Sequence, residues 1–342
     1  MADRVSRALA LQGAALAACA VQGAIAVCAL LHLLSIPLVV VLSVGNGAVS
    51  AVSLPASAAL TPQTVPAEQL RPANALMRMA TNLGLVVGAS MGGVVVASVG
   101  AGWALACNAV AFLGASMCFF RLALPARSRR DGEDSRAWQD LREGWSEFIS
   151  RSWVWVVVLQ YTLVNAAVAG GVQVLGPLVA DTTFGRSLWG LVLAAQTLGA
   201  LIGGFVAARS RVRRALLLGV AVTVFDAVPL ALAGDPHIVV LSFAMFFNGV
   251  AMEQFGVAWD VALQENIPEN RLARVYSYDA LGSFSALPIG EIGAGFAAAH
   301  LGVRPSLLGA AALVIAATVV AVANREVRAL TVKSSAVPSA SG

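Results

Sequence analysis

Long apolar runs, separated by short charged stretches, set the pattern of this chain of 342 residues. Most runs reach about 20 residues, the length that an α-helix needs to cross a hydrocarbon layer about 30 Å thick. The pattern predicts about ten membrane-spanning helices, at residues 8–31, 33–57, 75–99, 102–122, 152–179, 187–208, 215–233, 238–262, 275–301 and 304–324. We therefore predict an all-α, polytopic membrane protein.

Positively charged side chains fall almost entirely into alternate loops. One set of loops carries 20 of the 22 Lys and Arg residues, and the other set carries only Arg186 and Arg304. Because cytoplasmic loops are enriched in Lys and Arg, the first set is predicted to be cytoplasmic. It includes both termini and the central loop, so we expect a multi-pass protein of the cell membrane with both ends in the cytoplasm.

The composition excludes an ordinary soluble enzyme. Hydrophobic residues make up 58% of the chain and charged residues 12%, and the mean hydropathy is +0.80, whereas soluble domains hold about 45–50% apolar and about 25% charged residues. The net charge of +4 does not indicate a nucleic-acid partner, because the basic residues lie in loops. The sequence contains no P-loop and no Ser/His/Asp arrangement, so we predict neither an enzyme nor a nucleotide-binding protein.

Cysteine and histidine form no ligand set along the chain. The cysteines lie inside apolar runs without a CxxC pair and are read as small core residues, and the histidines are scattered among helix ends. These residues are Cys19, Cys28, Cys107 and Cys118, and His32, His237 and His300. We predict no metal and no cofactor.

An internal repeat relates the two halves of the chain. A shift of 202 residues aligns Asn46-Gly47 with Asn248-Gly249, Pro66 with Pro268, Gly88 with Gly290, and Gly100 with Gly302. Parallel repeats of six spans are typical of one large class of transporters. Only four predicted spans precede the central loop whereas six follow it, so two helices are expected to be missing from the first half.

The central loop divides the chain into four predicted segments. Residues 1–123 form an N-terminal bundle of four helices, residues 152–324 form a C-terminal bundle of six, and 325–342 form a cytoplasmic tail. The linking segment, 124–151, is charged, and its apolar residues recur at a 3-4-3 spacing at Trp138, Leu141, Trp145 and Phe148. This spacing predicts an amphipathic helix at the cytoplasmic interface.

Four stretches carry a resemblance to a known family. ADRVSR at 2–7 resembles the Asp-Arg-x-x-Arg loop of the major facilitator superfamily, and the glycines at 84–93 resemble its antiporter motif. The stretches at 55–76 and 259–284 are similar to connections after the fourth and tenth helices of the enterobactin-exporter-like branch, the transmembrane secretion effectors.

The resemblance implies a two-bundle transporter with four plus six helices, which lacks the family's first two. It implies efflux of a small amphipathic compound by alternating access, with proton coupling left open. Three positions depart from the family pattern and bear on that coupling: Ser43 stands where an Arg is usual, Ala89 where Pro is usual, and Arg209 where Asp is usual. The alternative is an N-terminally truncated, non-transporting remnant; the permease subunit of an ATP-driven system is less favoured.

Acidic residues inside predicted spans are the sharpest site candidates, because a charge at the centre of a span costs about 2.5–3.5 kcal/mol on insertion scales. Glu253 and Asp260 lie seven residues apart, about 10 Å along one face of a span that lines the cavity in the family. Glu253 is the first candidate for binding protons or a cationic substrate, and Asp260 for a gate contact. Asp226, in span 215–233, is a weaker candidate because that helix is peripheral in the family.

Polar side chains elsewhere in the spans have more modest expectations. Asn46, Asn165 and Asn248 are candidates for lining a cavity, although an interhelical hydrogen bond is the commoner role of such residues. Arg78 and Asp279 lie near the cytoplasmic ends of spans, where long charged side chains can reach the interface.

Two motifs are candidates for gating or packing. The family resemblance implies that Asp3 and Arg4 belong to a loop that latches the cytoplasmic gate, the alternative being a simple positively charged anchor. Small residues four apart allow helices to approach closely in lipid, and the resemblance adds a hinge role. The residues of this motif are Gly84, Gly88, Gly92 and Gly93, of which the first three lie on one stripe of the helix.

Overall fold

The computed structural model describes residues 7–121, 137–210, 212–233 and 237–331, and every regular element in these ranges is helical. The α-helices are α1 (Arg7–Leu30), α2 (Ile36–Ala58), α3 (Thr61–Thr64), α4 (Leu70–Val99), α5 (Ala101–Phe120), α6 (Ala137–Ser150), α7 (Ser152–Val168), α8 (Gly176–Thr182), α9 (Arg186–Arg209), α10 (Ala215–Val222), α11 (Ala227–Leu232), α12 (Ile238–Asn266), α13 (Glu269–Leu301), α14 (Val303–Ala323) and α15 (Arg325–Ala329).

Within the described ranges, nine helical stretches are long and apolar enough to cross a membrane. They correspond to nine of the ten predicted spans. The tenth, 275–301, lies in α13, which has 33 residues but is not among the nine. Serines, Pro288 and Glu291 make this helix less apolar than the others. The prediction of an all-helical, multi-pass membrane protein is confirmed.

The repeat seen in the sequence recurs in the helix boundaries. Helices α2 and α12 begin at Ile36 and Ile238, and these positions differ by 238 − 36 = 202 residues. Helices α4 and α13 end at Val99 and Leu301, again 301 − 99 = 202 residues apart. These two helix boundaries therefore fall at equivalent places of the two halves.

Two glycines at equivalent places of the repeat share one backbone conformation. Gly100, between α4 and α5, has φ 95° and ψ 168°, and Gly302, between α13 and α14, has φ 89° and ψ 162°. Residues with a Cβ rarely adopt a positive φ of this kind, whereas glycine does so without a steric penalty. Each glycine thus turns the chain sharply from one span into the next.

The chain forms two compact units, one of which comprises Met1–Pro66 and Leu83–Gln139. In this first unit α1 packs on α2 and α5. Three buried apolar residues form a core cluster in this unit: Leu11 of α1, Ala56 of α2, and Leu60, which follows α2. The contacts are close, since Gly102 of α5 leaves no room for a side chain beside Leu30.

The second unit comprises Ala67–Asn82 and Asp140–Gly342, so it includes the first half of α4. Helix α12 packs along α9 and α10, and α7 packs on α13 and α14. One of its buried clusters contains Val164, Leu175, Leu230, Leu307 and Val314 among its members. The candidate site described below lies within this unit.

Two spans of the second unit contain irregular turns. A π-helical segment, Ala169–Leu175, joins α7 to α8, and a 3₁₀ segment, Thr223–Asp226, joins α10 to α11. The second break has a local cause: Pro229 has no N–H to donate to the carbonyl of Phe225 four residues earlier. Such interruptions within helices frequently occur at functional positions.

The predicted amphipathic helix at 138–148 is present as α6. It packs on α13, where Trp145 and Phe148 lie against Tyr278 with ring centroids 5.4 and 5.7 Å away. The buried carboxylate of Glu147 accepts hydrogen bonds from Arg271 and Arg151. Its location at a membrane interface stays a prediction.

Candidate functional site

Four polar residues of α4 recur at the spacing of one helix face: Arg71, Asn74, Arg78 and Asn82. All four donate hydrogen bonds to other parts of the second unit. Arg71 is the first of them, and its guanidinium donates to the carbonyl of Ser210 at the end of α9, with an N–O distance of 2.6 Å. We call these four residues the polar face of α4.

Arg78 is the centre of a charged network with α12. Its Nε lies 2.9 Å from Oε2 of Glu253, and its Nη1 lies 3.4 Å from Oδ2 of Asp260. The side chain of Glu253 is only 7% exposed and that of Asp260 18%, whereas that of Arg78 is 33% exposed. The two acids that the sequence places on one face of α12 thus share a single cation.

Neutral side chains complete this network. Asn82 donates to Oε1 of Glu253 at 2.9 Å, and the hydroxyl of Tyr276 donates to Oδ1 of Asp260 at 3.2 Å. Both oxygens of Glu253 and both oxygens of Asp260 therefore have partners. We call these residues, together with Arg78, the α4–α12 network.

An amide pair lies between the network and the ends of both helices. Asn74 donates to Oε1 of Gln264 at 2.6 Å, and Gln264 donates back to Oδ1 of Asn74 at 3.1 Å. Both side chains are buried. A reciprocal pair of this kind satisfies polar groups that would be costly to bury alone.

Glycines make the close approach of these side chains possible. A Cβ at Gly256 would collide with the guanidinium of Arg78, and a Cβ at Gly203 of α9 would lie 3.2 Å from the Cβ of Glu253. Gly256 lies between the two acids along α12, so the helix surface has a gap where the cation enters.

A second polar cluster occurs further along α12. Asn248 donates to Oδ1 of Asp226, and Gln196 of α9 donates to Oδ1 of Asn248 at 2.7 Å. Asp226 and Asn248 are each 1% exposed. Oδ2 of Asp226 is buried without a hydrogen-bond partner. Two of the candidate residues are therefore in direct contact: Asn248 and Asp226, which is the less favoured candidate among the acids.

A third cluster lies one 3₁₀ turn before Asp226. The amide of Gln160 donates to the hydroxyl of Thr223 at 2.8 Å, and the hydroxyls of Thr223 and Thr318 lie 3.1 Å apart. All three side chains are buried, and Oε1 of Gln160 has no partner. This cluster links α7 and α14 to the interrupted helix.

The remaining predicted residues are not brought together with these clusters. Asn46 of α2 and Asn165 of α7 are half-buried, and no side-chain hydrogen bond of either is present among the described residues. Asp279 accepts a hydrogen bond of 2.9 Å from the indole of Trp259. Asp3 and Arg4 lie outside the described residues.

Residues 1–290 match the Major Facilitator Superfamily. The chain belongs to this superfamily. A curated relative, the uncharacterized MFS-type transporter y4rN of Sinorhizobium fredii, is 28% identical over 252 residues, which are 69% of this chain and 59% of the relative. The chain thus matches less than two thirds of that relative's length.

Solved structures of three transporters share the fold at low sequence identity. The proton:xylose symporter XylE has a TM-score of 0.70 at 16% identity, covering 93% of this chain and 80% of its own. The fucose:proton symporter FucP of E. coli (TM-score 0.71, 13% identity) and a bacterial homologue of the iron transporter ferroportin (0.69, 18%) each cover 94% of this chain and 84% of their own.

The glycine motif of this facilitator has a different environment from the one expected. No other part of the described chain comes within 4 Å of a Cβ added at any of its four members, which are Gly84, Gly88, Gly92 and Gly93. The expected close packing against a neighbouring helix is therefore not formed within the described residues. Gly290, the repeat equivalent of Gly88, does pack tightly, because a Cβ there would collide with the backbone of Ala166.

Sequence reasoning missed most partners of the candidate acids. Arg78 is expected to reach the interface, yet it contacts Glu253 and Asp260. Asn74, Asn82, Gln196 and Gln264 are absent from the predicted site, whereas Asn248 belongs to it. A usable signal was present, since the polar residues of α4 follow a 3-4-4 spacing in an otherwise apolar helix.

Proposed function

We propose that this facilitator is a secondary transporter that exports a small amphipathic compound by alternating access. Superfamily membership and nine apolar helices among the described residues support a role in membrane transport. The single observation that carries the proposal is the buried α4–α12 network, because charges within a span are expensive and are retained chiefly for function.

The network is suited to hold the cytoplasmic side of the protein closed. The predicted orientation places the start of α4 and the end of α12 in the cytoplasm, and the network and amide pair lie toward those ends. Alternating access needs contacts that form in one state and separate in the other. Charged hydrogen bonds between two helices, such as those of Arg78 with Glu253 and Asp260, meet this requirement.

The partners of Glu253 favour a role as a latch between α4 and α12. Its two oxygens accept from Arg78 and Asn82, each at 2.9 Å. In the proposed cycle, Arg78 releases the acids when the cytoplasmic side opens. Proton exchange at Glu253 stays a prediction, and in this proposal it takes place only after the ion pair has separated.

Uptake of dyes by everted membrane vesicles tests the proposal. A bacterial strain without its own multidrug exporters would produce the chain, and a panel of amphipathic dyes including ethidium would be offered under an imposed pH gradient. We expect dye accumulation with the wild-type chain and a loss of at least about tenfold in Arg78→Ala and Glu253→Gln at equal protein levels. Asp181→Asn, which removes only an exposed ion pair with Arg186, is the control and should transport normally.

The second candidate function is a non-transporting remnant of a facilitator. The lack of any described atom within 4 Å of a Cβ added at Gly88 favours this alternative. Accumulation of no dye by the wild-type chain, at protein levels confirmed by immunoblot, would reject amphipathic efflux and support the remnant.

A further inference from the structure

We propose that Asp226, together with Asn248 and Gln196, forms a proton-binding site in the second unit. The inference deepens the proposed function, on which its role in transport rests. In this site a proton adds to the Asp226 carboxylate to give the neutral acid, and it leaves the same oxygen when the protein opens to the other side.

Burial without a counter-ion is the first observation that points to a proton. Asp226 is 1% exposed, and none of the described Arg, Lys or His residues forms an ion pair with it. Its Oδ2 accepts no hydrogen bond. An unpaired carboxylate is expensive in such surroundings, whereas the protonated acid carries no net charge.

The helices around Asp226 supply no hidden cation. Helices α7, α10 and α11 contain no charged residue, and the titratable side chain of α7 is Tyr161. The basic residue of α14 is Arg304, which lies in the first turn of that helix and is exposed. On α12, Glu253 and Asp260 are already bound to Arg78, and Glu265 lies close to the cytoplasmic end.

The amide groups fix which oxygen is free to take the proton. Gln196 donates to Oδ1 of Asn248, and the amide nitrogen of Asn248 donates to Oδ1 of Asp226. In this arrangement Oδ1 of Asp226 receives a donor. Oδ2 is left as the oxygen that binds the proton.

Asp226 also lies where its helix can change shape. It is the last residue of the 3₁₀ segment that interrupts the span, three residues before Pro229. Short 3₁₀ stretches within helices often mark hinges. A change at this break would open the buried carboxyl to water without disrupting α10 or α11.

Helix α12 joins this site to the α4–α12 network. Asn248 and Glu253 are five residues apart, which is about 7.5 Å along the helix. A movement of α12 that separates Glu253 from Arg78 would also move Asn248 away from Asp226. The two sites would then change together.

Infrared spectroscopy of the purified protein in lipid tests proton binding without a substrate. We expect a carbonyl band of a protonated carboxylic acid that shifts in protein labelled with carboxyl-¹³C aspartate, disappears at high pH, and is lost in Asp226→Asn. Asp279→Asn, which changes another aspartate within a helix, is the matched control and should keep the band. Asn248→Leu removes the hydrogen bond to the carboxyl of Asp226 and should shift the frequency of the band. This variant tests the assignment of the band to Asp226 if Asp226→Asn does not fold.

Three results would overturn the site: no aspartate-dependent band at any pH, a band that persists in Asp226→Asn, or a band unchanged by Asn248→Leu. Binding of ²²Na⁺ that requires Asp226 and removes the band at fixed pH would identify a sodium site instead and would also overturn it. The band without dye transport would reject the proposed function and keep the proton site. Transport without the band would reject the site alone.

Discussion

The guanidinium of Arg78 occupies the space that a side chain at Gly256 would fill. Arg78 comes from α4 and Gly256 from α12, and the acids that bind the cation flank this glycine on the same helix. The gap and the negative charge are thus built into one stripe of α12. Each can be removed separately by substitution.

Replacing Gly256 by alanine should displace Arg78 from the acids. The colliding atoms belong to the flexible end of the arginine, so the protein should still fold, but the hydrogen bonds to Glu253 would be lost. Hydrogen bonds to charged groups contribute roughly 1.5–3 kcal/mol each. We expect the thermal unfolding midpoint of the purified protein to fall by about 5 °C, measured by intrinsic fluorescence.

A double-mutant cycle separates this cause from general damage to α12. In an Arg78→Ala background, Gly256→Ala should cost much less, because the collision no longer exists. Equal costs of Gly256→Ala with and without Arg78 would contradict the account.

Equivalent glycines of the repeat should respond differently to the same substitution. Gly290→Ala would drive a Cβ into the backbone of Ala166, whereas Gly88→Ala meets nothing within 4 Å. We expect Gly290→Ala to reduce the yield of monodisperse protein at least about fivefold. Gly88→Ala should match the wild type, and because alanine favours helices over glycine it should, if anything, stabilise α4.

The measurement is fluorescence-detected gel filtration of both variants at equal expression. A severe loss with Gly88→Ala would show that its face is packed in the membrane by something outside the described chain.

A lower pH should weaken the packing of α6 on α13, because it protonates Glu147. Burial alone would raise the pKa of this carboxyl, but hydrogen bonds and charge from Arg271 and Arg151 outweigh burial and hold the pKa below its ordinary value. A carboxyl whose pKa is lowered in the fold stabilises it above the unfolded pKa. That stabilisation is lost as the pH falls below about 4.3, the ordinary value for glutamate, and through the lower pKa of the fold.

The unfolding midpoint of Glu147→Gln should therefore be lower than that of the wild type at pH 7 and approach it in acid. Partial exposure of both arginines will keep the difference modest. Asp181→Asn is the control and should show little difference at either pH. A gap between Glu147→Gln and wild type that stays constant with pH would refute the role of the ion pairs.

Reporter fusions test the predicted orientation. Alkaline phosphatase fused after Thr183 should be active, since that connection is expected outside the cytoplasm, and a fusion after Val212 should be inactive. A fluorescent protein that folds only in the cytoplasm should give the reverse result. The opposite pattern of activities would contradict the orientation predicted from the basic residues in the loops.

The sequence predicts the helices well because each helix depends on a local property of the chain. The starts of α12 and α5 and the ends of α4 and α13 lie within one residue of the predicted limits. Apolar length decides these elements, and it can be read from a single stretch of chain. Helix α6 could be predicted for the same reason, since its apolar spacing is contained within eleven residues.

The partners of the candidate acids could not be predicted in this way. Arg78 and Asp260 are 182 residues apart, and Asn74 and Gln264 are 190 apart. Which polar residues meet depends on how helices pack, and that is a property of the whole unit. The weaker prediction for Asp226 has the same origin, because its contact with Asn248 requires the placement of α12.

The 3₁₀ segment has a consequence for the direction in which Asp226 points. An α-helix advances about 100° per residue and a 3₁₀-helix about 120°, so residues three apart are offset by about 60° in the first and aligned in the second. In this span Asp226 therefore projects directly above Thr223, whose hydroxyl is bound to Gln160. In a regular α-helix the carboxyl of Asp226 would be rotated by about one sixth of a turn relative to Thr223.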